Sequence, residues 1–164
     1  MGDVEISPLV KQIVRGLRGL AFLATILATS FMAASHERAI FPFDYKADYT
    51  DLMFFKAFLG ANIAASLYSF FFVCLPPKSL LWRLAIVLDV IMFGLLVAMN
   101  SAAMAAAYLH KHGDSQAFWP PICSQVPTYC YRVILAISIG FGGVFMFLLI
   151  IIISISVILN PLLV

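Results

Sequence analysis

Asp89 is the first residue whose chemistry asks for a reason. It stands in LWRLAIVLDVIMFGLLVAMNSAAMAAAYL, Leu81–Leu109, a run that is otherwise nearly all apolar. An ionised carboxylate at hydrocarbon depth costs about 2.5–3.5 kcal/mol on insertion scales, so such an acid is paired, protonated or turned toward a polar interior. Arg18, at the head of an earlier apolar run, is the candidate partner. A guanidinium favours the ionised carboxylate and can fork onto it with two hydrogen bonds. The reading adopted is a structural ion pair between two helices, ahead of Arg18 snorkelling to headgroups beside a protonated Asp89 and ahead of a proton or ion relay.

Cys123 and Cys130 form the second candidate group. They share one loop, and a turn through Pro127 would close them into a disulfide, whereas thiol redox chemistry usually wants a Cys-x-x-Cys pair. His110 and His112, with Asp114 nearby, lack a third well-placed ligand, so no metal is expected. No nucleophile with its base, phosphate-binding glycine loop or paired carboxylates can be found, so no catalytic residue, cofactor or enzyme activity is expected.

These residues need a membrane to make sense. Of 164 residues, 63% are hydrophobic and 11% charged, which excludes an ordinary soluble domain. Charge-free runs at Gly19–Ser35, Ala57–Pro77, Val90–Leu109 and Val133–Val164 each approach or exceed the roughly 20 residues that cross the hydrocarbon. The expectation is an all-α four-transmembrane-helix bundle over 17–160, with helices at 17–35, 53–75, 81–109 and 133–159. An N-terminal segment at 1–16 precedes it, and loops lie at 36–52 and 110–132. The eight prolines fall between or outside these expected helices, and a net charge of +2 argues for no nucleic acid.

Helical spacing then assigns faces. Asp89 and Asn100 are about 20° apart around an ideal helix and share a polar seam, while Asn62, Ser66 and Ser69 share a face of the second helix. Asn62 and Asn100 are expected to form interhelical polar contacts. Gly94, Ala98, Ala102 and Ala106, four residues apart, are expected to pack closely against neighbouring helices and make the third helix central. Phe145–Ile153 is bulky and expected to face lipid or a neighbouring subunit.

Orientation is not settled by Lys and Arg, which divide five against five. A disulfide persists on an oxidising face, so both long loops are placed outside and both termini in the cytosol. Cys74 then lies at the cytosolic end of the second helix, where a buried, inert thiol is favoured over a palmitoylated one.

Several stretches together resemble a known family: LRGLAFLATILATSFMAAS, YTDL and AN at the entry to the second helix, Asp89–Tyr108, and W-x3-C-x6-C at Trp119, Cys123 and Cys130. They resemble the Casparian strip membrane domain proteins and their CASP-like relatives in plants, with a distant similarity to the MARVEL four-helix proteins. The resemblance covers nearly the whole chain. It implies cytosolic termini, an Arg in helix 1 and an Asp in helix 3, matching Arg18 and Asp89, and the cysteine pair in the second outer loop. Strip-forming members carry a Glu-Ser-Leu-Pro-type signature where this chain reads HERAIFPFD, so the resemblance is to the CASP-like relatives. It implies a multi-pass plasma-membrane scaffold, homo-oligomeric in the lipid bilayer, that organises membrane domains and recruits other membrane proteins or cell-wall-modifying enzymes. Ile40–Leu52 and Ser115–Tyr131 would be the partner-facing surface. The alternative is a small channel or transporter subunit.

Overall fold

Pro8 opens the first helix, where its missing N–H and fixed φ suit a first helical position. The computed structural model describes residues 8–39, 45–74, 79–114 and 120–159. Trp119 and the Pro76–Lys78 connection lie outside them. Helix α1 spans Pro8–Ala33, α2 Met53–Cys74, α3 Ser79–His112 and α4 Pro127–Leu159. All four are long and apolar enough to cross a membrane. Helix α1 starts well before the expected residue 17, because Val14, Arg18 and Ala21 continue one buried stripe through a polar stretch. Helices α3 and α4 also reach further into the second loop than expected.

The first loop is built rather than irregular. Strands β1, His36–Ala39, and β2, Tyr45–Asp48, pair antiparallel with His36 opposite Asp48. A 3-10 turn at Tyr49–Asp51 follows. Asp48 Oδ1 accepts from the Thr50 N–H and Asp51 Oδ2 accepts from the Asp48 N–H, a reciprocal cap that turns the chain into α2. The YTD of the YTDL stretch is this turn.

Helix α1 packs chiefly on α4 and α2, and α3 on the same two helices. The helices therefore form a ring in chain order, with α1 and α3 across one diagonal. Two apolar clusters fill the interior. One, around Met32, Phe55, Phe58, Tyr129 and Ile137, lies toward the disulfide end. The other, around Ala21, Ala65, Leu96 and Phe147, lies nearer Arg18. Side chains such as Leu23, Phe71, Ile91 and Ile152 point outward on every helix, as expected of a bundle whose solvent is lipid.

Three sequence expectations are corrected here. Helix α3 is not central: among the described residues its apolar stretch is the least buried of the four and that of α4 the most. Phe145–Ile153 is not a lipid-facing block, since Phe147, Ile150 and Ile151 point inward while Phe145, Leu148 and Ile152 point out. Cys74 is an exposed free thiol at the last residue of α2 rather than a buried one.

Candidate functional site

Asp89 is fully buried and Arg18 nearly so. Arg18 Nη1 donates to Asp89 Oδ1 at 2.9 Å and Nη2 to Oδ2 at 2.6 Å, a two-pronged pairing that leaves little carboxylate capacity idle. Tyr68 from α2 completes it. Its hydroxyl stands 2.7 Å from Asp89 Oδ1 and 3.1 Å from the Ala85 carbonyl, so its one proton is shared with the shorter arm on the carboxylate. The guanidinium carbon also lies 5.6 Å from the centre of the Tyr68 ring and 5.2 Å from that of Phe72, within cation–π range. The Tyr68 ring in turn stacks on Phe147 of α4 at 6.1 Å. One cluster thus engages all four helices. Removing either charge strands the other, which for buried pairs costs about 3–5 kcal/mol.

Asn62 and Asn100 are both fully buried, but among the described residues they make no hydrogen bond between helices. Each amide nitrogen donates to its own helix one turn back, Asn62 to Phe58 O at 2.9 Å and Asn100 to Leu96 O at 2.8 Å. The local carbonyl competes successfully because it is always within reach at this spacing. The Oδ1 atoms of both residues, and Ser69 Oγ, are buried without a partner among the described residues. Gly140 explains the placing of Asn100. A Cβ there would run into Asn100 Oδ1 and stand 3.1 Å from the Phe58 ring, so α4 approaches α2 and α3 at this level only as glycine.

The small-residue stripe faces the wrong way for the role expected of it. Gly94 and Ala98 are exposed, Ala102 is half-buried and only Ala106 is inside. At 100° per residue, Gly94 is about 140° and Ala98 about 180° around the helix from Asp89. The stripe and the acid cannot both face the bundle. Burying a charge and an amide matters more than burying methyl groups that lipid accommodates, so the Asp89, Leu96, Asn100, Ala103, Ala107 face turns in.

At the far end, Cys123 and Cys130 are joined. Pro127 does not form the turn between them but begins α4, so Cys130 belongs to that helix's first turn. Two further bonds brace the same turn. Glu37 Oε2 of β1 accepts from the Tyr129 N–H at 2.8 Å, placing an anion at a helix N-terminus. Arg132 Nη1 donates to the Ala34 carbonyl at 2.8 Å, placing a cation at the end of α1. The His110 carbonyl accepts from Ile122 and Cys123 N–H groups, and its ring packs edge-on to Phe55 at 5.6 Å. The His112 ring lies instead over exposed Tyr108 at 4.3 Å, so the two imidazoles diverge.

Charges locked together across the diagonal of membrane-length helices mark a multi-pass membrane protein of the four-helix class. The chain belongs to the Casparian strip membrane domain family, matching the Casparian strip membrane protein domain over residues 7–146. It is 98% identical, over the full length of both chains, to CASP-like protein 1C1 of Populus trichocarpa. It is 40% identical over 148 residues to CASP-like protein 1C1 of Arabidopsis thaliana, covering 90% of each chain. It is 44% identical over 131 residues to CASP-like protein 1C2 of Vitis vinifera, covering 79% of this chain and 81% of the other. No solved structure matches it significantly.

Proposed function

We propose that the protein is a homo-oligomeric plasma-membrane scaffold that organises membrane domains and recruits partners, cell-wall-modifying enzymes among them. Both termini are cytosolic in this reading and the disulfide end is outside. The observation that carries it is the outward stripe of Gly94 and Ala98, which leaves a close-approach helix face unused within the chain and suited to a second helix in lipid. At the disulfide end Glu37, Arg132 and the Cys123–Cys130 bond hold the described parts of the loops together, a surface suited to partners. The interior charges support the same reading, because Arg18 and Asp89 are consumed by each other instead of lining an open route.

Native mass in mild detergent, combined with proximity labelling in the source membrane, tests this. The expected result is a multiple of the subunit mass, reduced by Gly94→Leu with Ala98→Leu, and labelling concentrated in patches. Subunit-sized mass with diffuse labelling would overturn it. A channel or transporter subunit is the second reading, favoured by Asn62 Oδ1, Ser69 Oγ and Asn100 Oδ1, buried without a partner among the described residues. Solute flux through liposomes carrying the purified protein would decide for it.

A further inference from the structure

Helix α1 does not end where the hydrocarbon does. Taking Ser35, just before the hairpin, as one membrane edge, 20 residues back along the chain, nearly all of them helical, reach Arg15, about 30 Å away and equal to the hydrocarbon thickness. Arg18 is about 4.5 Å inside that level and is held by Asp89. Arg15 therefore lies at the headgroup boundary, and Lys11, one turn further, lies within the headgroup layer.

Lys11 and Arg15, four residues apart, share one side of α1. Arg15 and Gln12 are exposed and Lys11 is half-buried, and neither cation meets a carboxylate among the described residues. Gly19 lies about 40° around the helix from Arg15, while Gly16 lies about 100° from Arg15, nearer Gln12. A Cβ at either would meet nothing within 4 Å, so neither glycine serves packing inside the chain. The result is a donor-rich face with two positive charges at phosphate height. Leu9, Ile13 and Leu20 are exposed on the far side of α1, about 120–160° around from Arg15, and of the three only Leu20 is deep enough to meet acyl chains.

We propose that this face of α1 binds the headgroup of an anionic phospholipid, with Lys11 and Arg15 on its charged oxygens and Gln12 donating to the ester region. A second copy of the chain is the weaker fit, because a symmetric contact through this face would set Lys11 and Arg15 against their own counterparts. Each such cation near an anionic surface contributes about 1 kcal/mol, roughly a fivefold effect in affinity. The site meets the anionic cytosolic leaflet if the termini are cytosolic, but its affinity for lipid in detergent does not depend on that topology or on oligomerisation.

The test uses the purified full chain in mild neutral detergent, titrated with dioctanoyl phosphatidylserine, dioctanoyl phosphatidylcholine and inorganic phosphate, with bound lipid read by native mass spectrometry. The expected result is preferential retention of phosphatidylserine, weakened at least tenfold in Lys11→Gln with Arg15→Gln and by raised salt. Lys111→Gln, at the opposite end, should bind like the parent chain. Inorganic phosphate competing as well as the lipid would assign a free-anion site and overturn the lipid proposal. So would equal retention of the two lipids, or a double variant that binds phosphatidylserine unchanged. A double variant whose subunit number rises while its lipid binding is unaltered would overturn it in favour of a protein contact. Arg15 is exposed and Lys11 only half-buried, so circular dichroism of the double variant should match the parent.

Discussion

Arg18 and Asp89 meet fork to fork across the diagonal of the bundle, joining the two helices of the ring that otherwise pack on shared neighbours instead of on each other. A pair in this position sets the spacing of α1 from α3, which apolar packing alone would leave adjustable. Asp89→Asn or Arg18→Gln should each lower stability by about 3–5 kcal/mol, because each leaves a buried group without its counter-charge. Replacing both by apolar residues, Arg18→Met with Asp89→Leu, should cost less than either single change. Thermal unfolding in detergent orders the three variants, and a double variant worse than both singles would contradict the account. The charge exchange Arg18→Asp with Asp89→Arg should recover surface expression lost in the singles.

Tyr68 separates the hydroxyl from the ring. Tyr68→Phe keeps the stacking on Phe147 and the contact with the guanidinium but removes one donor from Asp89 Oδ1. A hydrogen bond to a charged group is worth about 1.5–3 kcal/mol, so the midpoint of unfolding should fall, by less than in Asp89→Asn. Tyr68→Leu should fall further than Tyr68→Phe. Equal stability of Tyr68→Phe and the parent chain would mean that the Arg18 fork alone satisfies the carboxylate.

The four spans were legible because charge-free runs of that length have few other uses, and the acid in the third because its burial is costly enough to demand a partner. Tyr68 was not, since it lies in YSFFF, where one hydroxyl among aromatics carries no pattern of its own. The need of Asp89 for a donor beyond Arg18 was the only signal that could have pointed to it. Strands HERA and YKAD are four residues each with mixed charges and no clear alternation, too short for the period-two signature of a half-buried strand. Glu37 and Arg132 find partners 92 and 98 residues away, distances at which only the folded bundle decides who meets whom. The small-residue stripe is plain in the sequence, and its outward direction follows from its angle of about 140–180° to Asp89 at Gly94 and Ala98.

Gly140 offers a steric test. Gly140→Ala drives a methyl into Asn100 Oδ1 and against the Phe58 ring, and overpacking of this kind costs about 1–3 kcal/mol. Gly142→Ala, where a Cβ meets nothing within 4 Å, should be close to neutral. Combining Gly140→Ala with Asn100→Ala removes the obstructing oxygen and should recover part of the loss. Thermal unfolding of the four chains side by side checks this, and equal effects of the two glycine substitutions would show that α4 is free to shift away.

The first turn of α4 is held twice, by the disulfide to Cys123 and by Glu37 on the Tyr129 N–H, and the two restraints should be coupled. The loop closed by cysteines separated by 7 positions predicts about 2.5 kcal/mol from chain entropy alone. Loss of a helix cap typically costs about 1 kcal/mol. Because Tyr129 directly precedes Cys130, fixing one end of the turn already orders the other, so reducing the protein and substituting Glu37→Ala should not add simply. With the disulfide intact, Glu37→Ala should have a small effect on unfolding. In the reduced protein or in Cys123→Ser, it should have a larger one, with amide exchange at the start of α4 rising in step. Equal cost of Glu37→Ala in the oxidised and reduced chains would show that the hairpin and the disulfide brace the turn independently.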